Sequence, residues 1–194
     1  GSLVCEILAD QGSTLPIKRL AIPDISLYKY GSREWLREQV GLMSLIYNAR
    51  PETGLFEREV VDALLSYNPQ TRKYEGLLAQ SWTQINPTTL EVKLKKGIKF
   101  HDGSDFNADD VVYTLNWAAD PKVRFRFKSS YNWVKVAEKI DNYTVRIISK
   151  NPFGPALARL GVTIAMYPSD VHGKLKVKSD FGKHPIGTGR YKVV

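Results

Sequence analysis

Along residues 89–95, Leu90, Val92 and Leu94 alternate with Thr89, Glu91, Lys93 and Lys95, the period of two that a strand with one dry and one wet face requires. Asn86-Pro87-Thr88 just before it has turn chemistry and Ser81-Trp82-Thr83-Gln84 favours extended backbone, so an antiparallel hairpin is predicted. Lys96-Gly97 closes the strand, and His101-Asp102-Gly103 makes the next turn. The period then changes: Val111, Val112, Leu115, Ala118 and Ala119 supply the buried face of a helix, and Asn107 stands where a cap belongs. Asp109 and Asp110 put negative charge beside the open amides of the first turn, and Asp120-Pro121 stops the helix. A second hairpin is expected over residues 131–149, with Val134 and Val136 on one arm, a turn near Asp141-Asn142, and Tyr143, Val145 and Ile147 alternating on the other.

Elsewhere the pattern is less regular. Leu55, Phe56, Val60, Ala63 and Leu64 recur at three-and-four spacing and predict a helix over 55–67, ended by Tyr67-Asn68-Pro69. Residues 151–155 read as a loop before a short helix at 156–160; the β-branched content of 162–166 predicts a buried strand; Pro168-Ser169-Asp170 opens another short helix; and 191–194 begin a strand. Pro16, Pro23 and Gly31 break up residues 1–50, where loop is expected around one short helix over 32–39, capped by Ser32 and carrying Trp35 and Leu36, with Val40 in phase.

Composition narrows the function classes. The 194 residues are 43% hydrophobic and 25% charged, enough for a packed core and unlike a disordered chain. The longest apolar stretches, 42–46 and 161–167, fall far short of the ~20 residues a membrane helix needs. Cys5 is the single cysteine, so an intrachain disulfide is excluded, and His101, His172 and His184 lack ligand spacing. Gly1-Ser2 reads as the remnant of a cleaved tag. A lipid anchor on Cys5 is conceivable, although Leu3-Val4 supplies no small residue before it. The net charge of +8 raises the alternative of a basic module for nucleic acid or anionic polymers, but the basic residues are spread along the chain rather than gathered in a stripe. Glycine-flanked serine, phosphate-binding loop and paired-histidine helix are all missing from the sequence, and an enzyme is not expected.

Three blocks carry a resemblance. Leu77-Leu78-Ala79-Gln80-Ser81-Trp82, then Leu90-Glu91-Val92-Lys93-Leu94-Lys95-Lys96-Gly97-Ile98-Lys99-Phe100-His101-Asp102-Gly103, then Phe106-Asn107-Ala108-Asp109-Asp110-Val111-Val112 stand in an order and spacing that resembles family 5 of the bacterial extracellular solute-binding proteins, the dipeptide, oligopeptide and nickel binders of ABC importers. Pro185-Ile186-Gly187-Thr188-Gly189-Arg190-Tyr191 is similar to that family's proline-valine-glycine-threonine-glycine-proline-tyrosine crossing, with Arg190 where a proline is usual. The resemblance covers about residues 55–194, and the first 50 residues lack an obvious version of the family's opening strand.

The resemblance implies an α/β, periplasmic binding protein-like (type II) fold, present in part, with a mixed or antiparallel sheet and short helices. It divides the chain into a first-lobe segment (1–54), a small accessory domain (55–184) and the crossing back into the first lobe at 185–194 through Gly187, Thr188 and Gly189, with the second lobe outside the chain. It implies capture of a peptide or similar small solute outside the cytoplasmic membrane, in the periplasm or at the cell surface, and delivery to the transmembrane permease subunits by a monomer without cofactor, metal or nucleic acid. Tyr131 and Trp133 are candidate solute contacts, and Arg124 and Arg126 candidate carboxylate partners. The alternative is that Trp133 packs the second hairpin and the arginines are solvated. Trp82 is read as a core aromatic, and His101-Asp102-Gly103 as a turn in which Asp102 bonds the backbone and Gly103 takes a positive φ.

Overall fold

In the computed structural model, residues 60–123 and 128–192 are described. Strands β1 (Leu65–Asn68) and β2 (Lys73–Gly76) form a small antiparallel hairpin. Strands β3 (Ala79–Asn86), β4 (Thr89–Leu94), β5 (Val134–Asp141) and β6 (Thr144–Ser149) form a four-stranded sheet in the order β3-β4-β6-β5, every neighbouring pair antiparallel. Both predicted hairpins are present, the second turning at Asp141, whose carboxylate accepts the Tyr143 amide at 2.7 Å.

Helix α1 (Ala108–Ala119) lies between the hairpins in sequence, and its start follows from the residues predicted to cap it. Asn107 Oδ1 accepts the Asp109 amide at 2.7 Å, and Asp110 returns the bond by accepting the Asn107 amide at 3.0 Å. Such a reciprocal box satisfies two donors that the first helical turn leaves open. Val111, Leu115 and Ala118 are fully buried with Leu90, Val92, Leu94, Val145 and Ile147 in one core cluster, which Trp82 flanks. Leaving the core face, Asn116 pairs with Ala137 as a strand would, accepting its amide at 2.8 Å and donating to its carbonyl at 2.9 Å. This occupies backbone groups of β5, an edge of the sheet that would otherwise be open to a further strand.

Three expectations are corrected. In its described part the helix predicted over 55–67 keeps only Val60 and then gives way to an isolated bridge from Ala63 to Ala165 and to β1. Leu64 and Leu65 are both buried because this segment is covered on both sides, which mimics helical spacing. Asn68 explains the turn: its side chain accepts the amides of Gln70 and Thr71 at 2.9 and 3.1 Å, and Arg72 closes the hairpin at φ 55°. The buried strand predicted over 162–166 is instead a single wide π turn, Arg159–Thr163, following the short helix α2 (Ala156–Ala158), and only Ala165 makes a bridge. Tyr191 and Lys192 lie in irregular backbone rather than in a strand; residues 193–194, like the helix expected at 32–39, lie outside the described residues.

The short helix α3 (Ser169–His172) forms as expected. Its His172 is 2% exposed and sits among the rings of Tyr113, Trp117, Tyr167 and Phe181, with the Tyr113 hydroxyl 2.7 Å from Nδ1. Burial, with the Lys178 charge as a smaller cause, lowers His172 from 6.5 to about 4. A group depressed in the folded state contributes stability above its unfolded value that is lost as pH falls through the folded one. Unfolding free energy is therefore expected to fall between pH 6.5 and pH 4 by at most about 3 kcal/mol from this residue. Urea titrations across that range should show a steeper decline for the wild type than for His172→Phe.

Candidate functional site

The turn after β4 is rigid by its own chemistry. Asp102 Oδ1 accepts both the amide and the hydroxyl of Ser104, at 2.9 and 2.6 Å, and Gly103 takes φ +91°, as the sequence reading of this turn requires. What that reading missed is the use made of His101. Its amide donates to Gly187 O at 2.9 Å, its Nε2 lies 2.8 Å from Gly189 O, and its Nδ1 accepts the Gly187 amide at 3.3 Å. A carbonyl can only accept and an amide N–H can only donate, so the contacts assign the proton to Nε2 and leave Nδ1 bare.

Residues 187–189 also touch the segment at the other end of the described chain. Gly189 donates its amide to Val60 O at 3.0 Å, and Thr188 donates its hydroxyl to Asp62 Oδ2 at 3.0 Å. Gly187 is required by space rather than by φ: a Cβ there would lie 1.9 Å from Val60 O. Burial pushes the Asp62 carboxyl above the usual carboxylate range, against the opposing pull of the Thr188 hydroxyl and of the Arg190 and Lys95 charges. Residues 60–62, 101 and 187–189 thus meet at one place. No group of three or more metal-ligating side chains occurs among the described residues.

The candidate solute contacts lie elsewhere. Tyr131 is 3% exposed, with its hydroxyl 3.4 Å from Thr163 O. Trp133 is 8% exposed, stacks on Phe153 at 5.0 Å and 11°, and donates Nε1 to Ser130 O at 3.0 Å. Both rings therefore pack inward, Trp133 at the start of the second hairpin. Arg159 reaches the same corner, Nη1 standing 3.5 Å from Ser130 Oγ. Arg124 and Arg126 fall outside the described residues.

Residues 73–194 match the family described as bacterial extracellular solute-binding proteins, family 5 (middle part), and the chain belongs to that family. It is 36% identical over 124 residues to the glutathione-binding protein GsiB of Escherichia coli K12, covering 62% of this chain and 24% of GsiB. Among solved structures it is similar to the oligopeptide-binding protein AppA of Bacillus subtilis, held in complex with a nonapeptide (TM-score 0.67, 26% identity, 74% of this chain and 30% of that one). It is also similar to NikZ of Campylobacter jejuni in complex with Ni(L-His) (TM-score 0.64, 26% identity, 70% and 27%). The fold is thus a type II periplasmic binding protein fold present in part, and the chain spans about a quarter of the length of the curated relatives it matches. GsiB and AppA are both named as binding proteins.

The Pro-Ile-Gly-Thr-Gly motif was legible in the sequence, but its partners were not: 86 residues separate His101 from Gly187 and 126 separate Asp62 from Thr188. Gly187→Ala is expected to cost about 1–3 kcal/mol, because the clash is with backbone that cannot rotate away; urea denaturation reads it. For Asp62, a raised carboxyl means stability that falls as pH rises from 3.8 through the folded value. Asp62→Asn keeps an acceptor for Thr188, so its stability relative to wild type should rise through that window and stay level below it, in paired melts from pH 3 to pH 8.

Proposed function

We propose that this chain is part of the solute-receiving component of an ABC importer, working in the periplasm or at the cell surface, and that the whole protein captures a peptide or a similar small solute for delivery to transmembrane permease subunits. The observation that carries the reading is the family match over residues 73–194, supported by the fold likeness to AppA holding a nonapeptide. Residues 55–184 act as the small domain of the first half, 1–54 belong to the first lobe, and Gly187, Thr188 and Gly189 are the crossing between them. The protein works as a monomer without cofactor.

In this assignment Arg124 and Arg126 offer guanidinium forks to a solute carboxylate. Tyr131 and Trp133 are the aromatic members of the same set of solute contacts, their polar tips engaged with Thr163 O and Ser130 O. Solute recognition in a large wet cavity relies on backbone and terminal groups bridged by water, in keeping with relatives whose names range over glutathione, a nonapeptide and a nickel–histidine complex. A basic module for anionic polymers is disfavoured by the local pairing of basic side chains: Lys99 with Asp105, Lys139 with Asp109 and Arg146 with Glu91, at 2.7–2.9 Å.

The test is thermal unfolding of this chain and of the full-length gene product against di- to pentapeptides, glutathione and nickel–histidine. A solute present at 100 times its Kd should stabilise the full-length protein by about 2.7 kcal/mol, with little change in this chain alone. Absence of any shift, together with polyanion binding that fades as salt rises, would overturn the receptor reading in favour of the basic module.

A further inference from the structure

The place where residues 60–62, 101 and 187–189 meet is more than a packing contact. The chain leaves the small domain through 187–189 beside the segment, 60–62, by which it comes in. Gly189 N–H to Val60 O and Thr188 Oγ1 to Asp62 Oδ2 tie the two segments side by side. His101 grips the outgoing one from the loop after β4 with three hydrogen bonds, two of them to ring nitrogens. Its own loop cannot yield, since Asp102, Gly103 and Ser104 lock the turn and Lys99 and Asp105 close it as a bridge with a 2.7 Å ion pair.

A two-segment connection held at one point sets an angle. Were Gly187 and Gly189 free, the small backbone with two glycines in three residues would pivot readily; a ring bonded to both of them removes that freedom. The geometry also demands one form of imidazole, with the proton on Nε2 and an acceptor at Nδ1, which neither lysine, arginine nor an aliphatic residue can reproduce.

We propose that His101 is a positioning residue for solute capture: its neutral ring clasps Gly187 and Gly189 against the incoming segment and fixes the angle at which the small domain is carried on the rest of the protein. The inference rests on the receptor reading above and assigns to this histidine a role beyond the turn it occupies.

Two measurements test it. In this chain, nitrogen NMR should find His101 with a protonated Nε2 and a bare, hydrogen-bonded Nδ1. Amide exchange should quicken by about threefold to tenfold in His101→Phe at Gly187, whose N–H loses its Nδ1 acceptor, and at Gly189, whose bond to Val60 O opens more often once its carbonyl is released. Exchange in α1 should be unchanged, and His101→Gln, which can still donate, should recover part of the protection at Gly189. In the full-length gene product, His101→Phe should weaken solute binding by about threefold to tenfold while leaving the melting temperature of the unliganded protein close to wild type. The opposite tautomer, or unchanged exchange at both glycines, overturns the clasp. Solute binding by wild type that His101→Phe leaves intact overturns the positioning role alone, whereas wild type that binds no solute overturns both it and the receptor reading.

Discussion

Helix α1 lying on the inner face of the four-stranded sheet is the interaction on which the other described parts depend. Val111, Leu115 and Ala118 join the sheet residues in one cluster, and each fully buried aliphatic side chain contributes on the order of 1.5–3 kcal/mol. Once the helix is seated, three of its polar side chains reach in different directions. Asp110 accepts the Ser169 amide at 2.8 Å, Thr114 accepts the Tyr167 amide at 3.0 Å, and Asn116 pairs with Ala137. One apolar packing event thereby positions the segment 167–169, the start of α3 and an edge strand. Asp110 serves two helices at once, and burial raises its carboxyl above the ordinary range despite the amides of Ser169 and Asn107 that favour its charge.

The second organising contact is where residues 60–62, 101 and 187–189 meet. There the energetics are polar and local rather than hydrophobic: backbone amides, a hydroxyl, a carboxylate and an imidazole satisfy one another within a few residues. Backbone groups withdrawn from water must find such partners, and a glycine is needed wherever two backbones approach as closely as Gly187 and Val60. Packing therefore holds the sheet and helix together, while hydrogen bonds hold residues 187–189 beside 60–62.

Legibility in the sequence followed the range of the interaction. The β3–β4 and β5–β6 hairpins and α1 were readable because alternation, turn residues and a capping box all act within a few residues. Within the helix expected over 55–67, the described stretch 61–67 was misread because Leu64 and Leu65 are buried by partners on both sides, and an apolar spacing cannot say whether a face or both flanks are covered. The stretch 162–166 was misread for a related reason: β-branched residues favour a strand, but one partner at Ala63 leaves only a single bridge. Tyr131 and Trp133 were singled out by type and neighbourhood, and only the fold turned their rings inward.

By itself the sequence determined the family, the two hairpins, the capped helix and the glycine-rich run at 187–189, since each is written in contiguous residues whose local chemistry suffices. Only the tertiary structure decided that His101 answers Gly187 and Gly189, that Asp62 answers Thr188 and that His172 is held neutral among four aromatic rings. Those outcomes depend on distances between residues far apart in the chain, which no local pattern encodes, and on burial, which changes what a side chain can be charged to do.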